Sequence, residues 1–458
     1  MDVTVAGGLC GALFGYDTGI VSAALVQMSP QLALTDAQAE RYVAVAVLCA
    51  AVGAPLGSWL SSVGGRRKTL LLAAVMFWVT AIVTALASTW RTLFAMRMGI
   101  GLAVGIVASV APVYLAECVS MQERGPVIAS YNLYINAGQL GAALVGAAFA
   151  NNQQSGWRFM LGLAAVPSAL LVAQLVFVLP ESPLWLRAQA EKHASGGALV
   201  AVPESEDSAP SLQPHGWWAQ FVAKWVPRDS QTLSALFLGC FLHFVQQGSG
   251  INCVMYYTGT IMSRILGFTA STAIWLNAVV ASFNSSFAFV GVFVTRRHPR
   301  RTVTICSLAG VAASLLLLVY SFYYPARACS KLVSIVGLCA YLACFASGMG
   351  PMPWLINSEI YPSGMRHLAG TATSVNWMTN YVVASTFLTS VQRFGPAPVF
   401  GAYFCVAVTG LAVLGFALPE TKHFSVLHSG SQQQVERWEI RSSESDDEDH
   451  DHDERNDE

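Results

Sequence analysis

Residues 243–257, which read HFVQQGSGINCVMYY, lie inside a long apolar run and decide how the chain is interpreted. A helix that crosses a bilayer needs about 20 mostly apolar residues. Polar side chains at that depth are costly unless they face a protein interior or a water-filled cavity. Gln246, Gln247 and Asn252 nevertheless crowd together there, and amides both donate and accept hydrogen bonds. The stretch predicts a membrane helix that binds a neutral, hydroxyl-rich ligand; the alternative is that the amides only join neighbouring helices.

The composition of the whole chain is that of a protein in a lipid bilayer. Of the 458 residues, 54% are hydrophobic and 11% are charged, against about 25% charged residues in soluble domains. The net charge of -1 gives no indication of a nucleic-acid partner. The ten cysteines show no metal-ligand spacing, so we predict neither a metal site nor a cofactor.

The apolar runs predict an all-α membrane protein of about twelve transmembrane helices in two six-helix bundles. The predicted spans are approximately 5–26, 42–62, 69–89, 92–115, 127–150, 158–180, 232–262, 270–294, 302–323, 333–356, 368–391 and 397–418. Four regions follow: an N-terminal bundle at 1–180, a cytoplasmic loop at 181–230, a C-terminal bundle at 231–422 and a disordered acidic cytoplasmic tail at 423–458. Two equal halves favour a binding site at the membrane midplane between them.

Lysine and arginine predict the orientation of the chain in the membrane. The clusters RRK at 66–68 and RRHPRR at 296–301 both follow even-numbered spans. Both termini and the central loop are therefore expected in the cytoplasm. The sequence leaves open whether the membrane is the plasma membrane or that of an intracellular compartment.

An acid in the first span suggests coupling to protons. Asp17 lies at membrane depth, where burial makes its charged form costly, so that it can bind and release a proton. Arg97 in the fourth span is a candidate partner, because arginine stays charged. A proton and Arg97 could then alternate at one carboxylate. The alternative is a permanent structural ion pair.

Charged residues near the basic loops predict a gating network that holds one conformation shut and breaks in another. Ordinary interfacial charge is the alternative reading. The predicted members of this gating network are Arg66, Arg67, Glu117, Arg124, Glu181, Glu359 and Arg366.

These motifs, in this order, resemble those of the sugar porters of the major facilitator superfamily. The matching pieces are GYDTG, GGRRK, PVYLAE, RG at 124–125, GQL, PESPLWL, QQGSGIN with YY, PWLINSEIYP, NW at 376–377 and PETK. They cover about residues 8–422. Within that family the chain is most similar to the proton-linked myo-inositol transporters of protozoa.

The resemblance implies alternating access between two bundles and a set of substrate contacts. Those contacts are Gln139, Gln246, Gln247, Asn252, Asn284, Trp354 and Asn376. It also implies that Asp17 is the acid of the proton symporters, with Arg97 as its partner.

The sequence departs from the family pattern in three loops. Ser62 stands where many members have aspartate, and Leu184 where arginine is usual. In the loop after the eighth span, Arg296 replaces an acid and Pro299 a glycine. These changes remove members of the charge network and put closure of the inner face in doubt.

We therefore predict a proton-coupled symporter of myo-inositol or a related monosaccharide, whose partners are a small neutral polyol or sugar, the proton and the lipid bilayer. One alternative is a facilitative hexose uniporter in which Asp17 is only structural. A sugar sensor without net transport is a second alternative, and the short tail argues against it. An enzyme is not expected, because no nucleophile–base pair, HExxH motif or phosphate loop occurs.

Overall fold

The computed structural model of the chain describes residues 2–120, 124–194, 230–327, 329–361 and 368–421, and every regular element in these ranges is helical. The predicted tail at 423–458 and most of the predicted central loop lie outside them. The helices of the first half are α1 (Asp2–Gln31), α2 (Asp36–Gly64), α3 (Arg66–Leu86), α4 (Trp90–Cys118), α5 (Arg124–Ala148), α6 (Gly156–Gly162), α7 (Ala165–Phe177) and α8 (Pro183–Ala194).

The second half repeats this arrangement with more interruptions. Its helices are α9 (Ser230–Gly248), α10 (Ile251–Thr260), α11 (Ala270–Arg297), α12 (Arg300–Tyr323), α13 (Ser330–Cys344), α14 (Met352–Glu359), α15 (Ala369–Phe394) and α16 (Pro396–Ala417). Two π-helical turns, Ile261–Ile265 and Phe345–Met349, follow α10 and α13. Such turns often mark functional sites in helices.

Nine helical segments of the described chain are long and apolar enough to cross a membrane. The other three predicted spans correspond to α5, to α9 with α10, and to α15, which are the helices that carry Gln139, the QQGSGIN motif and Asn376. Each predicted span is occupied by one or two observed helices, most of which extend a few residues beyond it, and α8 lies in the predicted central loop. The prediction of an all-α membrane protein built from two six-helix bundles is confirmed.

Helix boundaries follow local capping chemistry. Thr35 caps α2 in a reciprocal pair with Gln38, and Thr89 and Thr269 cap α4 and α11. Glycine permits the closest helix contacts: the backbone of α1 at Gly15 lies directly against the backbone of α5. Pairwise packing of α1 on α5 and of α2 on α4 builds the first bundle.

Large apolar side chains on the outside of the bundles remain exposed, as expected for a surface that faces lipid. Examples are Trp59, Phe177, Phe237, Phe293 and Phe416. An apolar surface of this extent would be unusual for a soluble monomer.

We call the end of the molecule that carries the loops after α2 and α11 the basic face, and the other end the distal face. The two bundles meet where α1 packs on α10, α2 on α15 and α5 on α11. The functional side chains lie along these contacts and in the two interrupted spans.

Candidate functional site

The predicted coupling pair is formed inside the first bundle. Arg97 Nη1 on α4 donates to Asp17 Oδ1 on α1 at 2.5 Å, and both residues are buried. The guanidinium also lies over the ring of Tyr42 on α2, 5.3 Å from its centroid. Arg97 Nε is buried without a hydrogen-bond partner among the described residues. Charge neutralisation is therefore provided by one carboxylate, and protonation of that carboxylate would leave the arginine without a counter-ion.

The interruption between α9 and α10 places Gln247 and Asn252 in one chain of hydrogen bonds with Asn376 of α15. Gly250, at φ +91°, immediately precedes α10, and a Cβ there would lie 2.6 Å from the ring of Tyr403. Asn252 Nδ2 donates to Gln247 Oε1 at 2.6 Å, and Gln247 Nε2 donates to Asn376 Oδ1 at 3.0 Å. The helix break thus brings Gln247 and Asn252, five positions apart, within hydrogen-bond distance.

The same chain continues to the second interrupted span. Asn376 Nδ2 donates to Gln246 Oε1 at 2.7 Å. Gln246 Nε2 donates to the carbonyls of Met349 and Gly350 at 2.8 and 2.9 Å, where the π-helical turn ends. Trp354 on α14 is 44% exposed, and its ring lies against that of His243 on α9, with centroids 4.9 Å apart. We call Gln246, Gln247, Asn252, Asn376 and Trp354 the C-terminal amide group.

The remaining two predicted contacts form a separate group between the bundles. Asn284 Nδ2 on α11 donates to Gln139 Oε1 at 3.0 Å and to Asn136 Oδ1 at 3.1 Å, both on α5. Gln139 Nε2 donates to Thr18 Oγ1 on α1 at 3.2 Å, one residue after Asp17. A small cavity beside Gln139 is also lined by Thr258 of α10. The seven predicted contacts therefore lie in two groups, one within the second bundle and one between the bundles.

Polar contacts join the bundles toward the distal face. Glu40, near the start of α2, is 3% exposed and accepts from Thr389 N at 2.7 Å and Thr389 Oγ1 at 2.5 Å, near the end of α15. Ser22 Oγ on α1 donates to Asn277 Oδ1 and accepts from Gly259 N.

At the rim of the same face Arg264 forms an ion pair with Asp36. Together these contacts close the distal face in the described state.

The charged residues at the basic face are paired within the first bundle. Arg66 donates from Nε and Nη2 to both oxygens of Glu117 at 3.0 Å. Glu181 accepts from the backbone N–H of Arg67 at 2.9 Å. Ser182 Oγ donates to Glu117 at 2.5 Å. We call these contacts between the helix ends of one bundle a brace. The guanidinium of Arg67 donates to the carbonyls of Leu175 and Val176, and a gating role for these residues stays a prediction.

The second bundle has a corresponding brace, in which Glu359 pairs with residues that the sequence did not predict as its partners. Glu359 accepts from Arg300 Nη2 at 3.5 Å and from Thr421 Oγ1 at 2.5 Å. Glu420 accepts from the backbone N–H groups of Arg300 and Arg301 at 2.9 and 3.1 Å. Arg366 and the side chain of Arg124, both predicted members of the network, lie outside the described residues.

Three side chains of the site are not predicted by the sequence, for different reasons. Glu40 resembles an ordinary acid at a helix start, and Arg300 stands out only as one charge of the basic loop. His243 lies in the decisive stretch, one turn before Gln246. A buried ionisable residue beside a cluster of amides is the signal that could have identified it. Within the described part of the chain, no group of three histidine, cysteine or acidic residues is arranged to hold a metal ion.

Comparison with known proteins gives one consistent family. The model of the family described as "Sugar (and other) transporter" matches residues 3–428. The chain is 32% identical to the human proton myo-inositol cotransporter, over 92% of this chain and 80% of that protein. It is also 32% identical to the galactose-proton symporter of Escherichia coli strain K12, over 92% and 91% of the two chains.

Solved structures agree with this assignment. A D-xylose-proton symporter superposes with a TM-score of 0.74 at 25% identity, over 92% of this chain and 98% of that chain. An inward open conformation of the Escherichia coli xylose transporter gives 0.73 at 25% identity, over 92% and 96%. These findings confirm the resemblance inferred from the motifs. They also confirm the prediction that the chain is a transporter rather than an enzyme. The chain belongs to the sugar porter family of the major facilitator superfamily and is a multi-pass membrane protein.

Proposed function

We propose that the chain is a proton-coupled symporter of a neutral polyol or monosaccharide, with myo-inositol as the first candidate substrate and a hexose as the second. The observation that carries the proposal is the buried Asp17–Arg97 pair, whose carboxylate is the group to be protonated. Relatives that are named for proton symport of inositol, galactose and arabinose support both the coupling and the substrate class.

The two amide groups supply the substrate site in this proposal. Amide side chains offer paired donors and acceptors, which match the alternating donor and acceptor character of vicinal hydroxyls. Gln139 and Asn284 come from opposite bundles, so a ligand between them contacts both moving bodies. Trp354 offers an apolar face for the ring of the substrate.

In this proposal α2 couples protonation to the movement of the bundles, because it contacts both the Asp17–Arg97 pair and the residues that join the bundles at the distal face. Tyr42 lies under the Arg97 guanidinium, and Glu40 holds Thr389 of the other bundle. A proton on Asp17 would free Arg97, shift its contact with Tyr42, and weaken the hold of α2 on α15. Proton and substrate would then enter from the distal face, and the proton would leave from the basic face after the bundles rock.

The proposal includes an orientation and a division of the chain. The basic face is cytoplasmic, because arginine and lysine cluster there. Residues 1–180 and 231–422 are the two rocking bundles, joined by the segment 181–230, and residues 423–458 are a cytoplasmic tail. A proton that crosses with a 100 mV membrane potential contributes about 2.3 kcal/mol in addition to the pH gradient.

Uptake into proteoliposomes tests the proposal. Labelled myo-inositol, glucose and galactose are compared with the interior one pH unit more alkaline, which permits about ten-fold accumulation for one proton per substrate. We expect accumulation above equilibrium that a protonophore abolishes. Asp17→Asn should remove accumulation and leave equilibration, whereas the control Asp36→Asn, at an exposed ion pair, should keep accumulation.

Two outcomes would contradict the proposal. Equilibration that ignores the gradient in the unmodified protein would make the chain a facilitative uniporter, with Asp17–Arg97 a structural ion pair. Accumulation that survives Asp17→Asn would move the coupling proton to another group.

A further inference from the structure

His243 is a buried histidine at the centre of the C-terminal amide group. Its side chain is fully buried on α9, one turn before Gln246. Its Nδ1 lies 3.0 Å from Asn376 Nδ2, and its ring meets the indole of Trp354 at a centroid distance of 4.9 Å and an angle of 71°. It thus contacts two predicted substrate residues on two different helices.

The orientation of the amides is determined by the π-helical turn. A carbonyl oxygen can only accept, so Gln246 must present its NH₂ group to Met349 O and Gly350 O. Its Oε1 is then left as the acceptor for Asn376 Nδ2. Asn376 Oδ1 in turn accepts from Gln247. Two backbone carbonyls therefore orient the whole chain of side chains.

This orientation also determines the tautomer of His243. Asn376 Nδ2 is a donor, with one hydrogen directed to Gln246 and the other to His243 Nδ1. Nδ1 must accept, so the ring proton of the neutral imidazole lies on Nε2. His243 Nε2 is buried and has no hydrogen-bond partner among the described residues. A buried donor without an acceptor is costly, and such groups usually meet a ligand or a water.

We propose that His243 is a substrate-binding residue, in which Nδ1 orients the Asn376 amide and Nε2–H donates a hydrogen bond to one hydroxyl of the bound polyol or sugar. The inference rests on the proposed function, because the ligand is the same. A hydroxyl oxygen is the acceptor that a neutral polyhydroxylated ligand brings. The indole of Trp354, which the imidazole contacts edge-on, is 44% exposed, and the resemblance to sugar porters already implies that this ring contacts the substrate.

Substitutions at position 243 separate the two roles of the imidazole. His243→Asn keeps an acceptor at the position of Nδ1 and loses the donor at Nε2. His243→Gln keeps a donor near Nε2 and loses the acceptor. His243→Phe removes both. Phe244→Leu is the matched control, because Phe244 is the next residue on α9 and is 41% exposed.

Binding to the purified full-length protein in detergent is measured by calorimetry with myo-inositol, glucose and their mono-deoxy analogues. His243→Asn should raise Kd about ten-fold for the parent ligand, the loss of one hydrogen bond. For the one analogue that lacks the contacted hydroxyl, it should leave Kd unchanged. His243→Gln should weaken all analogues alike, and His243→Phe should raise Kd about 100-fold. Thermal unfolding verifies that each variant is folded.

The results separate this inference from the proposed function. An unmodified protein that binds none of these ligands overturns the proposed function, and the role of His243 with it. An unmodified protein that binds, with His243→Asn weakening every analogue by the same factor or none at all, overturns only the role of His243. Should His243→Asn prove unfolded, His243→Gln must show the uniform loss, and retention of normal affinity there refutes the orienting role.

Discussion

Replacing Glu40 should open the distal face. The carboxylate of Glu40 accepts two hydrogen bonds from Thr389, one from the backbone N–H and one from the hydroxyl, across the bundle interface. Glu40→Gln keeps the shape of the side chain but exchanges one acceptor oxygen for an NH₂ group. Because the hydroxyl of Thr389 can also accept, both hydrogen bonds can still form, but neither is made to a carboxylate any longer. The closed arrangement therefore loses the charge-assisted part of two hydrogen bonds that the open arrangement does not make.

The size of the effect follows from burial. Glu40 is 3% exposed, so its hydrogen bonds are shielded from water. A hydrogen bond to a charged group contributes about 1.5–3 kcal/mol. A neutral hydrogen bond contributes about 0.5–1.5 kcal/mol, so the exchange costs about 1–1.5 kcal/mol per bond. A loss of this size would shift the equilibrium between distal-closed and distal-open states by roughly 5- to 12-fold toward the open state.

Hydrogen–deuterium exchange measures this shift in the intact protein. Peptides from the start of α2 and the end of α15 should exchange faster in Glu40→Gln. Asp36→Asn is the control, since the Asp36–Arg264 pair bridges the same gap but its arginine side chain is 43% exposed. Exposed pairs contribute about 0–1 kcal/mol, so exchange should hardly change. Faster exchange in Asp36→Asn than in Glu40→Gln, or no change in Glu40→Gln, would refute the reasoning.

Three further predictions concern stability and are measured by thermal unfolding in detergent. Arg97→Met leaves the buried carboxylate of α1 unpaired and should cost about 3–5 kcal/mol; a variant as stable as the parent would contradict this. Gly250→Ala places a side chain at φ +91° against an aromatic ring and should cost about 1–3 kcal/mol, whereas Gly401→Ala, with open space around it, should not destabilise. Glu117→Gln should cost more than Glu359→Gln, because the first carboxylate accepts two arginine bonds at 3.0 Å and the second one at 3.5 Å; the reverse order would count against the braces.

The helices and the depth of the amides are predictable because both are local properties of the sequence. Apolar runs of sufficient length specify spanning helices without reference to any distant contact. An amide in such a run must face the protein interior, so the sequence alone assigns Gln139, Gln246 and Asn376 to the inside of the bundles. The structure adds that they form two groups, which depends on where α9 and α13 are interrupted.

The partners of the charged residues are not predictable, because each pairing depends on how the chain folds back on itself. Glu40 and Thr389 are separated by 349 positions and meet only when the bundles close at the distal face. No local pattern in the sequence indicates that the distal face closes through this contact. The role of His243 is hidden for a similar reason, since its significance comes from the tautomer that Asn376 imposes on it.

The two braces at the basic face contain the same arginine–glutamate contact, although the loop sequences before the two arginines differ. Gly65, at φ +100°, precedes Arg66, whereas Pro299, at φ -60°, precedes Arg300. Both arginines nevertheless donate from Nη1 to a carbonyl five residues earlier and from the guanidinium to a glutamate of the same bundle. The bonds come from the arginine itself, so the departure at Pro299 leaves the brace in place.

Each brace stiffens one bundle and leaves the gap between the bundles untouched. The contacts between Asn284 and Asn136, Ser22 and Asn277, Glu40 and Thr389, and Arg264 and Asp36 cross this gap between the midplane and the distal face. Closing the basic face therefore requires contacts other than the ones these arginines make in this state. If the bundles rock as rigid bodies, the energy of that motion is determined at the distal face and at the amide groups, which are the proposed substrate site.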